Sequence, residues 1–136
     1  LESLDIGTLA EGCWRVVSTA DARLRVREPV QIRADRERLK RLLENLFRNA
    51  IEHGGEDVTI SIGRCEGGFY VEDDGEGIPS GKRDRVLEPG YTTVDEGTGL
   101  GLTIVRDIAE AHGWQIEITE AEGGGARFEF TNVDRS

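Results

Sequence analysis

Two glycine-rich segments in the middle of the chain have residue types that suit binding of a phosphorylated ligand. Residues 73–77 read Asp-Asp-Gly-Glu-Gly, and residues 97–102 read Gly-Thr-Gly-Leu-Gly-Leu. Glycine permits positive φ angles and lets the backbone approach a ligand closely. The second segment leads into a helix predicted from residue 103, whose free N–H groups and positive dipole end attract phosphate. Taken alone, the first segment also fits a hairpin turn, and the second fits an ordinary helix start.

A third group of polar residues lies on the helix predicted for residues 36–53. Asn45, Arg48, Asn49 and Glu52 recur at the spacing of one helix face, opposite a broad apolar stripe. Asparagine is a poor helix-interior residue because its amide competes for backbone hydrogen bonds. We therefore interpret the two amides as lining a pocket, one of them able to ligate a hard cation such as Mg²⁺. A solvated stripe is the alternative. His53, at the helix end, either contacts the ligand or is a satisfied terminal histidine.

The elements that position these residues follow from hydrophobic periodicity and from caps. Helices are predicted from about Asp5 to residue 20, over 36–53 with Asp35 as cap, and over 103–112. Strands are predicted at 22–27, 58–64, 68–72, 114–119 and 126–131, with 30–33 as the hairpin partner of 22–27. This order favours an α+β two-layer sandwich with mostly antiparallel strands. The long polar segment 80–96 is typical of a functional or disordered loop.

Composition limits the class of protein. The 136 residues suit one domain, and the net charge of −10 disfavours nucleic-acid binding. The sequence contains no apolar run long enough to span a bilayer, so we expect no direct membrane contact. Aspartate and glutamate are in excess, and Lys40 and Lys82 are the only lysines. This composition favours a domain adapted to high salt, and a domain that is acidic without such adaptation is the alternative.

The sulfur-containing residues add two expectations. Cys13 and Cys65 have no metal-ligand spacing, so we expect reduced, buried thiols. The chain contains no methionine, so we expect it to be one domain, residues 1–136, of a longer protein.

Three motifs occur in a fixed order: Asn45-x-x-x-Asn49-Ala50, Asp73-x-Gly75-x-Gly77 and Gly97-x-Gly99-x-Gly101. Together they resemble the ATP-binding catalytic domain of sensor histidine kinases, in the superfamily shared with DNA gyrase B, Hsp90 and MutL. The likeness runs from the strand at 30–32 to Gly125-Ala126-Arg127-Phe128, and residues 34–39 and 49–54 look especially like archaeal members. The resemblance implies the Bergerat, or GHKL, fold, a mixed sheet with three helices on one face.

The resemblance also implies roles for individual residues. Asp73 would accept a hydrogen bond from the adenine amino group, Asn49 would hold Mg²⁺ bridging the phosphates, and Asn45 would line the site. Residues 80–96 would form a mobile lid. The implied ATP-binding set is Asn45, Arg48, Asn49, His53, Asp73, Gly75, Gly77, Ile78, Tyr91, Gly97, Thr98, Gly99, Leu100, Gly101 and Leu102.

Two positions depart from the family pattern. Leu87 stands where a phenylalanine is common in the lid, so lid docking would rest on Tyr91. Glu52 stands where many members have a lysine facing the phosphates, and Arg48 on the same stripe would substitute for that cation.

The implied reaction is transfer of the ATP γ-phosphoryl group to a histidine on a separate helical dimerisation hairpin, with a response regulator downstream. His53 and His112 are the only histidines, and each precedes glycine, so the acceptor hairpin lies outside this chain. We expect a cytoplasmic domain that is monomeric in isolation. The alternatives are a degenerate nucleotide-binding module and, less favoured, a gyrase-, Hsp90- or MutL-type ATPase, which has a carboxylate where Asn45 stands.

Overall fold

The computed structural model describes residues 2–17, 22–54, 57–75, 99–121 and 125–133, without the side chains of 52–54 and 99–102. Within these ranges there are the three predicted helices and seven strands, one strand more than the six predicted. In chain order they are β1 (Glu2–Asp5), α1 (Ile6–Val17), β2 (Arg23–Val26), β3 (Gln31–Ala34), α2 (Arg36–Gly54), β4 (Thr59–Cys65), β5 (Gly68–Asp73), α3 (Gly99–Ala111), β6 (Gln115–Glu120) and β7 (Ala126–Thr131).

The main sheet has five strands in the order β2-β4-β5-β7-β6. The β2–β4 pair is parallel and the other pairs are antiparallel. The three helices form the second layer, with α2 packed between α1 and α3. This arrangement confirms the α+β two-layer sandwich with a mixed, mostly antiparallel sheet. None of the helices in the described ranges is long and apolar enough to cross a membrane.

The predicted hairpin between residues 22–27 and 30–33 is wrong. β3 pairs antiparallel with β1, a strand that was not predicted, and the two form a separate small sheet. β2 instead pairs in parallel with β4, with Leu24 opposite Ile60. Alternation of apolar residues shows which face of a strand is buried but does not identify its neighbour, so the pairing depended on tertiary contacts.

The α2 helix begins at a cap and presents two different faces. Asp35 Oδ1 accepts the Arg38 N–H at 3.1 Å, as the cap prediction requires. One face of α2 is buried in the core, and its Phe47 meets Trp14 edge to face at 5.4 Å. With that face fixed, the opposite stripe of α2, which carries Asn45 and Arg48, is turned towards α3.

The sheet contributes its inner face to the same core. Phe69 and Phe130 stack with ring centroids 4.7 Å apart across β5 and β7.

Both cysteines are free, but only Cys13 is buried, and burial raises the pKa of its thiol to about 11. Cys65 is half-buried, so the expectation of two buried thiols holds for one of them.

Candidate functional site

Asp73 is the last residue of β5, and its carboxylate faces the helical layer. Side chains alternate along a strand, so Asp73 shares the inner face with Phe69 and Val71, which belong to the core. Its Oδ1 accepts the backbone N–H of Gly75 at 2.9 Å and that of Ala126 at 3.4 Å. Within the described part of the chain, Oδ2 has no hydrogen-bond partner. One oxygen is thus held by the protein and the other is left for a ligand.

Burial raises the pKa of the Asp73 carboxyl above its usual value, and the two backbone hydrogen bonds oppose that rise. The carboxylates of Asp74 and Glu72 raise it further. Partial burial destabilises the ionised form of the carboxylate. A hydrogen bond from a neutral donor to the ionised carboxylate is therefore strong. The Asp73 Oδ2 atom can therefore accept a hydrogen bond from a donor on a ligand.

Asp74, although adjacent, does not belong to the same site. Its N–H donates to the Thr59 carbonyl at 3.2 Å, and its Oδ1 accepts the Thr59 N–H at 2.8 Å. These two bonds close the β4–β5 ladder beyond its last strand pair. Asp74 thereby holds the chain that leads from Asp73 to Gly75.

Charged side chains on the outer sheet face fix β5 against β7. Glu72, whose side chain is 8% exposed, is contacted by Arg127 at 2.7 Å and by Arg27 at 3.6 Å. Arg127 also bonds Glu129 at 2.7 Å, and its guanidinium lies 3.9 Å from the ring centroid of Tyr70. These contacts set the register beside Asp73 from the side opposite the candidate ligand.

The two asparagines of α2 have different environments. Asn49 is 8% exposed, and its amide makes no hydrogen bond with any residue that the structure describes. Asn45 is half-buried, and its Nδ2 donates to the Arg41 carbonyl one turn earlier at 2.7 Å. Asn45 and Arg48 line a groove of about 630 Å³ between α2 and α3, which reaches Ile104. The structure thus brings Asn45 and Arg48 together, while Asn49 lies one turn further along α2.

The α3 helix begins at Gly99, four residues earlier than predicted. Gly99, Leu100, Gly101 and Leu102 therefore form its first turn, and the free turn that the sequence predicted there is wrong. The first four N–H groups of a helix have no partner within the helix. The N–H groups of these residues can still bind an anion, as the predicted phosphate site requires.

Several predicted site residues lie outside the described residues. They are Gly77, Ile78, Tyr91, Gly97 and Thr98, the lid segment 80–96 with Leu87, and the side chains of Glu52 and His53.

Among the described residues, no three histidine, cysteine or carboxylate side chains are grouped as a metal would require.

The sequence reading gave no role to Gly125 and Ala126. A Cβ atom placed on Gly125 would lie 2.7 Å from Asp73 Oδ1 and closer still to the Asp73 backbone. The run of three glycines at 123–125 is, as a sequence, typical of a turn between two strands. No local signal connects this run with Asp73, because the two segments are distant in sequence: Ala126 and Asp73, which form a hydrogen bond, are 53 positions apart.

Comparison with known proteins agrees with this geometry. Residues 34–135 match the family described as histidine kinase-, DNA gyrase B- and HSP90-like ATPase. The sensor histidine kinase ZraS of Escherichia coli strain K12 is 37% identical over 139 residues, which cover 94% of this chain and 30% of ZraS.

Two solved structures have the same fold. The catalytic domain of histidine kinase ThkA superposes with a TM-score of 0.77 and 30% identity, covering 95% of this chain and 92% of that one. Full-length ShkA in complex with AMPPNP superposes with a TM-score of 0.77 and 29% identity, covering 100% of this chain and 32% of ShkA.

The chain spans about 30% of the length of the curated relatives that it matches first. These relatives are bacterial, so they give no support to the archaeal likeness read from the motifs. The family match covers most of the chain and includes the Asn helix, Asp73 and the start of α3. The chain belongs to the histidine kinase-, DNA gyrase B- and HSP90-like ATPases, and within them to the ATP-binding catalytic domains of sensor histidine kinases.

Proposed function

We propose that this domain binds Mg²⁺-ATP and presents the γ-phosphoryl group to a histidine on a helical hairpin elsewhere in its parent protein. The observation that carries the proposal is the Asp73 carboxylate, which has one oxygen held by backbone N–H groups and the other unpartnered among the described residues. Phosphoryl transfer needs mainly positioning and charge neutralisation from the protein. The proposed roles of the site residues follow from that requirement.

Asp73 recognises the adenine base. Its Oδ2 accepts the exocyclic amino group, while Oδ1 stays bonded to Gly75 and Ala126. Gly75 and Gly77 allow the backbone to lie against the base, because neither carries a Cβ atom. The base is therefore read at the end of β5, on the inner face of the sheet.

The phosphates lie at the beginning of α3. The N–H groups of Gly99 to Leu102 and the helix dipole attract anionic oxygens, and Gly97 and Thr98 extend that cradle. Arg48, exposed on α2, supplies a cation in place of the lysine that Glu52 replaces. The structure of ShkA with AMPPNP, an ATP analogue, supports a nucleotide in this fold.

Asn49 is the protein ligand for Mg²⁺ in this proposal. Its amide is nearly buried and makes no hydrogen bond with any described residue, which fits an oxygen kept for a ligand. Mg²⁺ commonly takes one or two protein oxygens and completes its shell with phosphate and water. The bound ion would neutralise phosphate charge, while Asn45, bonded to the Arg41 carbonyl, lines the neighbouring groove.

The acceptor histidine belongs to a different part of the parent protein. Both ring nitrogens of His112 are engaged: Nε2 accepts the Asp35 N–H at 3.0 Å, and Nδ1 is 2.8 Å from the Ile108 carbonyl. The partners we propose are the dimerisation hairpin that carries the acceptor, and a response regulator downstream. The domain works in the cytoplasm and is monomeric when isolated.

Calorimetry and a transfer assay test the proposal in two steps. We expect the chain to bind ATP in the presence of Mg²⁺, and to label the histidine of its parent's hairpin when the two are mixed. Absence of ATP binding would contradict the proposal altogether. Binding without transfer to that hairpin would instead favour a nucleotide-sensing module, which the departures at Glu52 and Leu87 would explain.

We further propose that the acidic surface adapts the domain to high salt. The net charge is −10, and lysine occurs only twice. Self-repulsion of such a surface is screened by salt, whose Debye length is about 3 Å at 1 M. This part of the proposal rests on composition and is independent of the nucleotide site.

A further inference from the structure

The Gly125 backbone approaches Asp73 so closely that a side chain at this position has no room. A Cβ on Gly125 would lie 2.6 Å from the Asp73 carbonyl carbon and 2.7 Å from its Oδ1. Real Cβ atoms essentially never approach other atoms so closely, so any larger residue displaces either β7 or Asp73. No positive φ is involved, and close approach alone accounts for the glycine.

This close approach has a consequence for the carboxylate. Gly125 brings the next residue, Ala126, to the point where its N–H donates to Asp73 Oδ1 at 3.4 Å. The Gly125 carbonyl accepts the Ala121 N–H at 2.7 Å, which fixes the segment from the other side. Gly125 packs against Asp73, and the Gly75 N–H donates to Asp73 Oδ1, so the Asp73 side chain is held in one orientation.

We propose that Gly125 is a positioning residue for adenine recognition, acting through the orientation of the Asp73 carboxylate. The inference rests on the proposed function, because it assigns a specificity role within the same site. With Oδ1 held by the Ala126 and Gly75 N–H groups, Oδ2 points at a fixed place for the exocyclic amino group. Gly125 touches no nucleotide atom in this account and acts only through Asp73.

The alternative is that Gly125 serves strand packing alone, and the chain offers a matched control. Gly68 lies at the opposite end of the same β5–β7 pair, where a Cβ would meet the Phe130 carbonyl carbon at 2.9 Å and its oxygen closer still. Gly68→Ala therefore disturbs the same two strands without touching Asp73. A purely structural role predicts equal consequences for Gly68→Ala and Gly125→Ala.

The test measures the affinities of ATP and of purine riboside triphosphate, which lacks the amino group, by calorimetry on wild type and both variants. A hydrogen bond to a carboxylate gives the wild type a preference for ATP of about tenfold or more. We expect Gly125→Ala to reduce that preference by about tenfold, because the amino group loses a well-placed acceptor. Gly68→Ala should lower the melting temperature and leave the preference within about twofold of wild type.

Two outcomes would overturn the inference: a folded Gly125→Ala variant with the wild-type preference, or an equal loss of preference in Gly68→Ala. Failure of the wild type to bind ATP would contradict the proposed function instead, so the two failures are distinguishable. Asp73→Asn in combination with Gly125→Ala gives a further check. If Gly125 acts through the carboxylate, the second substitution adds less than about twofold to the loss caused by the first.

A measurement on the wild type keeps the inference testable if Gly125→Ala does not fold. The amide protons of Gly75 and Ala126 should shift with a common midpoint as Asp73 is titrated, followed by NMR. The neighbouring Asp74 carboxylate raises the pKa of Asp73, so Asp74→Asn serves to separate its electrostatic contribution. An Ala126 amide that does not follow the Asp73 titration would contradict the inference.

Discussion

In the proposed site, the Asp73 carboxylate accepts a hydrogen bond from the adenine amino group. Asp73→Asn should weaken ATP binding by about 1.5–3 kcal/mol, or roughly 10- to 150-fold, because a charge-assisted hydrogen bond is lost. Asparagine keeps an oxygen that accepts the Gly75 and Ala126 N–H groups, so the local structure is retained. Calorimetry with ATP provides the measurement, and an unchanged affinity would remove Asp73 from the site.

The same substitution should stabilise the protein without nucleotide. The pKa of Asp73 is raised in the folded state, so the folded state binds the proton more tightly than the unfolded chain does. The ionised form therefore costs stability at neutral pH, and that cost disappears as pH falls through the raised pKa. Urea unfolding should give Asp73→Asn a larger free energy of unfolding than wild type at neutral pH. The difference between the two should become smaller as the pH is lowered. A gap that widens in acid would contradict the direction of the shift.

Asn45 and Asn49 should respond differently to removal of the metal. Asn49→Ala is expected to lower ATP affinity strongly with Mg²⁺ and much less in EDTA, because the Asn49 amide, which has no hydrogen-bond partner among the described residues, is the proposed ligand. Asn45→Leu serves as the comparison, since the Asn45 amide is already bonded to the Arg41 carbonyl. Equal losses for Asn49→Ala under both conditions would mean that Asn49 shapes the pocket and does not hold the ion.

At the scale of the elements, His112 ties the end of α3 to the beginning of α2. It accepts the N–H of the cap residue Asp35 and stacks on Trp114 with ring centroids 4.4 Å apart. His112→Ala should reduce the free energy of unfolding by about 1–2 kcal/mol, because a hydrogen bond and a ring contact are both lost. Denaturant unfolding provides the measurement.

His112→Phe is the matched control for that prediction, because it keeps a ring over Trp114 and removes both polar contacts. Its loss of stability should fall between wild type and His112→Ala if stacking and hydrogen bonding both contribute. If both variants have the same free energy of unfolding as wild type, the contacts of His112 with Asp35 and Trp114 do not contribute to stability.

At the scale of the whole molecule, the isolated chain should bind ATP but should phosphorylate neither of its two histidines. His112 lies at the far end of α3, roughly 15–20 Å from the first turn at 1.5 Å per residue, and transfer requires contact at about 3–3.5 Å. Incubation with labelled ATP should leave the chain without acid-labile, base-stable label. Such label on the chain alone would contradict the assignment of the acceptor to another segment.

The charge of the whole molecule leads to a separate expectation. Raising KCl from about 0.1 M to about 2 M should raise the melting temperature, because screening relieves repulsion among the excess carboxylates. Sucrose at matched osmolality is the control, since it favours the compact state without screening charge. A melting temperature that rises equally in sucrose would count against a specific adaptation to salt.

The sequence alone determined the features that depend on local pattern. Periodicity identified all three helices and the strands of the main sheet, and Asp35 marked the beginning of α2. The three motifs indicated the family, which the comparisons confirm. These features were predictable because helix caps, side-chain alternation and glycine turns act between residues close in the chain.

The tertiary structure decided what depends on contacts between distant segments. It paired β3 with β1 and β2 in parallel with β4, although alternation along each strand had shown only which side was buried. It also placed Gly125 and Ala126 against Asp73. The Ala126 N–H donates to the Asp73 carboxylate, although the two residues are 53 positions apart in the sequence. No local pattern encodes such a contact, because strand order and register are set by the packing of the whole sheet against its helices.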